Sequence, residues 1–186
     1  DSIILMNPSI VGPKQSLGQT IEGRDIWAFK ISDNPLIDEE EPEMLYTAAI
    51  HAREVNTPLV LQHYINWLLD KYGTDPEATE YVNEREMWFV LCVNPDGYYY
   101  NELTNPGGGG MWRKNRRVNG GGTFGVDLNR NWGYEWGYDD EGSSSSPSAE
   151  TYRGTAPFSE PETQAMRDFH IARDFAVSVY YHSYSN

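Results

Sequence analysis

What this chain has little of narrows it first. It contains one cysteine, Cys92, in 186 residues, so no internal disulfide can form. That residue sits in the apolar run Trp88-Phe89-Val90-Leu91-Cys92-Val93, where it reads as a buried structural thiol rather than a nucleophile or ligand. No apolar stretch approaches a membrane span, and no N-terminal signal segment is visible. The chain opens on Asp1 rather than methionine, as expected of a processed or trimmed polypeptide. Basic residues are scarce: 14 Lys and Arg stand against 28 Asp and Glu, a formal net charge of −14. That balance argues against nucleic acid or an anionic membrane as the main partner. Repeats and linkers are absent too, so residues 1–186 read as a single domain with a sizeable core. The 13 tyrosines and 6 tryptophans belong to a folded protein rather than a disordered one.

What is present alternates between strand and helix. Residues 25–31 read as a strand entered by a turn at Ile21-Glu22-Gly23-Arg24. The acidic stretch from Asp38 to Glu43 reads as a solvated loop, and the apolar run from Met44 to Ile50 as a buried strand that ends at His51. Thr57 and Pro58 offer an N-cap and a first-turn proline for a helix over 58–71, whose Leu61, Tyr64, Ile65 and Leu68 recur at helical spacing. A weaker helix over 76–84 follows, then a strand from Glu86 to Val93 closed by the turn signal Asn94-Pro95-Asp96-Gly97. Residues 94–159 lack periodicity and are rich in Gly, Ser, Asn and Pro. Such a segment inside a compact domain is either functional or disordered, and its scattered Trp and Tyr argue for order. Ser159 and Glu162 have capping-box spacing for a helix over 161–173, and a strand over 175–181 delivers His182. This order predicts an α/β layered fold with a largely parallel sheet, with ligands gathered beyond the C-terminal strand ends.

The chemistry-bearing residues fall at those ends. His51 and Glu54 sit three apart after one strand, and His182 follows another. A lone His-x-x-Glu is common by chance; His-Glu-x-x-His is absent, and Val55 excludes the inverted His-x-x-Glu-His form. A close His/Glu pair with a distant second His is nonetheless the ligand set of a catalytic zinc with one open position. Two neutral imidazoles and one carboxylate would leave such a site with a charge of about +1, enough to activate a water and polarise a carbonyl. Asp127 is the residue expected to orient His51 through its second ring nitrogen. His63 and His170 lie within helices and read as ordinary surface or packing residues. The run Trp112-Arg113-Lys114-Asn115-Arg116-Arg117, alone, reads as a solvated basic loop. Beside Asp127-Leu128-Asn129-Arg130 it offers guanidinium forks for a substrate carboxylate. The combination points to removal of residues from the C-terminal end of peptides.

The ordered motifs, together with Asn94-Pro95-Asp96-Gly97, Ser143 to Pro147 and Glu150-Thr151-Tyr152, resemble the zinc carboxypeptidase family over about residues 18–186. The resemblance implies an α/β fold with a mixed, largely parallel sheet flanked by helices, and one Zn²⁺ per chain, held by His51, Glu54 and His182. It implies that Arg113 polarises the scissile carbonyl and stabilises the oxyanion. It further implies that Asn129 and Arg130 bind the terminal carboxylate, that Arg53 serves a subsite further from the cut bond, and that Ser183 and Tyr184 line outer subsites. Asp127 matches the carboxylate behind the first zinc histidine. Peptide or protein C-termini are the implied partners and an extracellular location the implied setting.

The chain departs from the family pattern in one respect. The family's general-base glutamate, its substrate-capping tyrosine and its specificity residue all lie well beyond the second zinc histidine, whereas this sequence ends four residues after His182. The C-terminal part of the fold is therefore expected to be missing, with a sheet edge uncovered. A fragment is the favoured explanation over a natural truncation. A missing general base costs ~10²–10⁴ in rate, so this polypeptide alone is expected to be a poor catalyst. Three other readings stand beside the exopeptidase: a related deacylase that frees amino acids from N-acyl substrates, a non-catalytic zinc or peptide-binding module, and a purely structural set of motifs.

Overall fold

The computed structural model describes residues 2–183. Its main sheet holds β1 (Gln15–Gln19), β2 (Asp25–Ile31), β3 (Glu43–Thr47), β4 (Glu86–Val90) and β7 (Phe175–Tyr180), in the order β1-β2-β4-β3-β7. The sheet is mixed, as expected. β1/β2 and β2/β4 pair antiparallel, and β4/β3 and β3/β7 pair parallel. The two histidine-bearing loops leave β3 and β7, neighbours in the parallel half, from the same end.

Both sheet faces are covered. Along β4, Met87 and Phe89 point to one face and Trp88 and Val90 to the other. The first face packs under α2 (Asn56–Lys71) and α3 (Pro76–Asn83) through Leu61, Ile65, Leu68 and Val82. Phe29, Phe89 and Tyr46 stack there, with ring centroids 5.5 and 5.2 Å apart. The opposite face packs on Met166 and Phe169 of α5 (Pro161–Ala172). Among the described residues no helix is long and apolar enough to cross a membrane.

Several boundaries differ from the sequence expectation, each for a local reason. Thr57 is not the N-cap of α2; its hydroxyl accepts from Ala49 N at 3.0 Å and donates to Glu54 O at 2.8 Å, so it braces the loop that carries His51. The capping box at Ser159 does not form. Glu160 occupies the cap position, and the Ser159 hydroxyl instead donates to Glu160 Oε1 at 2.8 Å. Asn94-Pro95-Asp96-Gly97 starts a helix, α4 (Pro95–Thr104), because Asn94 Oδ1 accepts from Gly97 N at 3.0 Å and Pro95 suits the first helical turn. The acidic stretch is solvated only in part: Asp38 and Glu40 are exposed, while Glu39, Glu41 and Glu43 are half-buried.

The aperiodic segment is ordered by buried polar contacts rather than by an apolar stripe. It holds a small hairpin, β5 (Val118–Gly120) with β6 (Thr123–Phe124), and a 3₁₀ turn at Leu128–Arg130. Asn131 Nδ2 donates to Arg153 O, Ala156 O and Ser159 Oγ. Lys114 Nζ donates to Ala149 O at 2.9 Å and Pro147 O at 3.3 Å. Asn115 Nδ2 is shared between Glu160 Oε2 at 2.7 Å and Glu162 Oε2 at 3.1 Å.

Two expectations follow. A Cβ at Gly97 would lie 2.6 Å from Lys114 O and 2.8 Å from Ala52 Cβ, so Gly97→Ala is expected to destabilise by about 1–3 kcal/mol in denaturant melts. Glu162 is fully buried, and burial pushes its pKa up to about 7. The folded state then binds more protons than the unfolded state between about pH 4.5 and 7, so stability falls as pH rises through that window. The shift corresponds to at most roughly 3 kcal/mol. Urea titrations of Glu162→Gln are expected to flatten this slope and to raise stability at pH 8 relative to the parent.

Candidate metal centre

The site grows from the end of β3. Thr47 is its last residue, and the chain then leaves the sheet through Ala49, a buried non-glycine residue at φ 48°. Asn94 holds that departing loop in place. Its side-chain amide donates to Ile50 O at 3.3 Å and Lys114 O at 3.1 Å. Ala52 N donates to Arg113 O at 3.0 Å, so the loop carrying His51 and the segment carrying Arg113 are stitched together.

Three donors converge beyond the strand ends. Glu54 Oε1 lies 2.7 Å from His51 Nδ1, and Glu54 Oε2 lies 2.9 Å from His182 Nδ1. His51, Glu54 and His182 form a group whose possible ligand atoms lie within 4.8 Å of one another. His51 and Glu54 are buried, and the His182 side chain is 33% exposed, which leaves one open side. Burial opposes both charged forms. The His182 and His51 contacts nonetheless hold the Glu54 carboxyl down at about 2. Asp127 and Glu54 raise the His51 pKa above its ordinary value.

Asp127 links this group to its surroundings. Its Oδ1 lies 3.1 Å from His51 Nε2 and accepts from Asn129 N at 3.0 Å. Its Oδ2 accepts from Arg113 Nε at 3.1 Å and Nη2 at 2.8 Å. The second nitrogen of His51 is thereby committed, and Nδ1 is the ring atom left facing Glu54. Such an arrangement fits a histidine that binds metal through one nitrogen and is oriented through the other. Two imidazole nitrogens and a carboxylate on converging loops are a donor set that zinc accepts.

The remaining predicted residues are partly gathered here. Arg113 Nη1 lies 4.0 Å from Glu54 Oε1, so this guanidinium borders the donor group. Asn129 and Arg130 are half-buried in the 3₁₀ turn that Asp127 caps, with Arg130 Nε donating to Gly142 O at 2.6 Å. Arg53 lies 3.9 Å from Glu150 and lines a separate cleft with Asn101 and Met111. Ser183 is exposed, and Tyr184 lies outside the described residues. The basic run is not the solvated loop its composition implied. Arg113 meets Asp127, Lys114 is buried, Arg117 meets Glu160 at 2.9 Å, and Arg116 lies 3.7 Å from the centre of the Tyr100 ring.

The control histidines have other occupations. His63 is exposed on α2, and His170 bridges Met166 O at 2.7 Å and Ser178 Oγ at 3.1 Å. Cys92 is partly exposed as a residue, but burial pushes its thiol up to about 12, so it is a weak nucleophile at neutral pH. Asn94 was read from the sequence only as part of a turn, and its bracing role was missed. The signal available was its place directly after a buried strand, where a polar side chain needs partners.

Fold and donor set together define a class: an α/β protein with a His, Glu, His centre at the C-terminal ends of parallel strands. A family model described as zinc carboxypeptidase matches residues 2–186. A zinc carboxypeptidase of Saccharothrix mutabilis subsp. capreolus is 47% identical over 122 residues, covering 66% of this chain and 27% of its own length. Carboxypeptidase A2 of Rattus norvegicus is 36% identical over 170 residues, covering 91% and 38% respectively. The crystal structure of carboxypeptidase A from Helicoverpa armigera aligns with a TM-score of 0.84 at 30% identity, over 98% of this chain and 43% of that one. This chain belongs to the zinc carboxypeptidase family, and it spans less than half the length of these relatives.

Loss of an orienting carboxylate behind a ligand histidine weakens metal binding about 10–100-fold. Asp127→Asn is expected to do so here, measured by zinc competition with a chromophoric chelator. Zinc binding competes with protonation of His51, whose pKa Asp127 and Glu54 raise against the effect of burial, so affinity is expected to decline as pH falls.

Proposed function

We propose that this chain carries the metal-binding and carboxylate-binding half of a zinc-dependent exopeptidase that hydrolyses the C-terminal peptide bond of peptides. The observation that carries the proposal is Asp127, whose two oxygens hold His51, Arg113 and the turn bearing Asn129 and Arg130. A metal ligand, an electrophilic guanidinium and a polar clamp are thereby kept in fixed relation.

His51, Glu54 and His182 would hold the zinc, which would supply Lewis acidity toward a carbonyl and a water of lowered pKa. The protein's own groups do the rest. Arg113 holds Nη1 4.0 Å from Glu54 Oε1, beside the donor group, where it can donate to oxygen as negative charge develops. Asn129 and Arg130 bind the terminal carboxylate in a fixed direction, so an internal bond, lacking that carboxylate, is not aligned. Arg53, Ser183 and Tyr184 are assigned to residues further along the peptide. Among the described residues, the carboxylates in contact with the three donors are Glu54 and Asp127, and both are committed. The proton-transferring glutamate implied by the resemblance is therefore assigned to no residue of this chain, and the chain assayed by itself is expected to turn over ~10²–10⁴ more slowly than the full-length protein. Residues 1–186 are assigned to one catalytic domain. An extracellular setting accompanies this reading, from the family's habit.

The test uses the zinc-loaded full-length protein and three substrates: an N-blocked peptide with a free C-terminus, its C-terminal amide, and a small N-acyl amino acid. Hydrolysis of the first, with release of its last residue, is expected. Arg130→Ala is expected to raise KM about 10–100-fold through loss of charge-assisted hydrogen bonds. Equal turnover of the amide would reject the exopeptidase. Turnover of the N-acyl amino acid alone would assign a deacylase, and tight binding without cleavage would assign a binding module.

A further inference from the structure

A second group of acidic side chains lies at the opposite end of the sheet from His51. Glu43 begins β3 and Glu86 begins β4, so a strand length of roughly 15 Å separates them from the loops that carry the His, Glu, His centre. The loop over residues 33–43 folds back across these strand starts. Asp33, Glu39 and Glu41 form one group whose oxygens lie within 4.8 Å of one another, and Asp38, Glu43 and Glu86 form another. Glu86 couples the two: its Oε1 accepts from Glu39 N at 3.0 Å, and its charge acts on both Glu41 and Glu43.

The cations and donors facing these six carboxylates are few. Lys30 Nζ meets Glu86 Oε1 at 2.6 Å and also binds Ile37 O. Arg173 Nη1 lies 3.1 Å from Asp38, 3.4 Å from Glu43 and 3.9 Å from Glu86. Asn34 Nδ2 donates to Glu39 Oε1 at 3.1 Å. After these are counted, one oxygen on each of Asp33, Glu39, Glu41, Glu43 and Glu86 is buried with no hydrogen-bond partner among the described residues. Glu86 is 0% exposed, so its Oε2, which has the Arg173 guanidinium at 3.9 Å but no hydrogen bond, cannot turn to water. Burial and then the neighbouring carboxylates Glu39, Asp33, Glu84 and Glu86 raise the Glu41 pKa, which records the same excess of negative charge. Orphaned buried carboxylate oxygens are costly, and a cluster of them calls for a positive partner.

We infer that the loop over residues 33–43 binds a hard divalent cation, Ca²⁺ by its chemistry, through Asp33, Glu39 and Glu41, beside the Asp38–Glu43–Glu86 group that Arg173 already enters. The donors are all oxygen, without nitrogen or sulfur, which favours calcium over zinc. Two oxygens on one Ca²⁺ are at most about 5 Å apart, given Ca–O distances of 2.3–2.6 Å, and Asp33, Glu39 and Glu41 meet that limit among themselves. Donors drawn from a loop suit the flexible six- to eight-fold coordination of Ca²⁺ better than the strict octahedron of Mg²⁺. The role that follows is structural: the ion pins the loop to the sheet and relieves its internal repulsion.

The experiment uses the zinc-loaded full chain in calcium-free buffer. Calcium added to ~5 mM is expected to raise Tm by about 3–6 °C, and the same concentration of magnesium by less. Tb³⁺ is expected to bind with emission sensitised by Trp88, whose ring lies 4.6 Å from the Arg173 guanidinium, and to be displaced by Ca²⁺. Glu41→Gln is expected to raise the calcium-free Tm, by easing repulsion, and to abolish most of the calcium increment. Glu86→Gln is expected to reduce the increment, because Glu86 Oε1 holds Glu39 N in place. Should Glu86→Gln fail to fold because Lys30 loses its partner, Glu41→Gln decides alone. His51→Ala is expected to leave the calcium increment intact. A parent Tm indifferent to calcium with no Tb³⁺ emission overturns the inference, as does a calcium shift undiminished in Glu41→Gln.

Discussion

The buried carboxylate of Asp127 is the constraint on which the candidate centre depends. It is fully removed from solvent, and such a charge persists in a protein interior only when its lone pairs are filled. Here they are filled by the His51 ring, the backbone of Asn129 and two guanidinium nitrogens of Arg113. Burial alone would raise its pKa, but the His51 and Arg113 interactions win and hold it below the usual carboxylate value. Each partner is placed because Asp127 needs it. A requirement of charge compensation thus becomes a requirement of geometry: ligand, electrophile and clamp cannot drift apart without stranding a buried charge.

The scaffold reaches this arrangement by an uneven division of labour. The parallel strands β3 and β7 supply direction, and the two histidines follow them from one end. The other groups come from a segment with little regular structure, held by Asn94, Lys114, Asn115 and Asn131 through bonds to backbone and carboxylates. Trp132 joins the two parts, its ring centre 5.6 Å from that of Tyr180 on β7 and 6.0 Å from that of Phe158. Buried amides and a buried lysine fix a loop more specifically than apolar packing does, because each has few satisfactory partners. The cost is that any one of them left unpaired is expensive.

That division also explains what could be read in advance. β3, β4, α2 and α5 were legible because Leu45, Trp88, Leu61 and Met166 bury apolar surface at strand or helix spacing, and periodicity registers such burial directly. The donor group was legible because His51 and His182 each end an apolar run. What sequence did not yield were the places where one side chain serves a distant partner. Thr57 looked like a cap until Ala49 N claimed its hydroxyl. Ser159 looked like a cap until Glu160 claimed its proton. Asn94 and Pro95 carry the same signature for a turn and for a helix start; Asn94, tied to Ile50 O and Lys114 O as well as to Gly97 N, is held as the helix cap. Local pattern ranks the options at such sites, and long-range hydrogen bonds choose among them.

The strong negative charge acquires a location from the same logic. At the C-terminal end of the sheet, the carboxylates of Glu54 and Asp127 are matched by imidazoles and by Arg113, so the local balance is close to even. At the N-terminal end, Lys30 and Arg173 face a larger number of carboxylates. A net charge of −14 is therefore not a uniform coat. Self-repulsion concentrated in one half-buried loop acts on that loop's own stability, whereas the same charge dispersed over solvent is screened within about 8–10 Å. The two ends of one sheet thus face opposite electrostatic problems. At one end every oxygen of Glu54 and Asp127 meets a protein donor, whereas the other leaves carboxylate oxygens that no described side chain hydrogen-bonds.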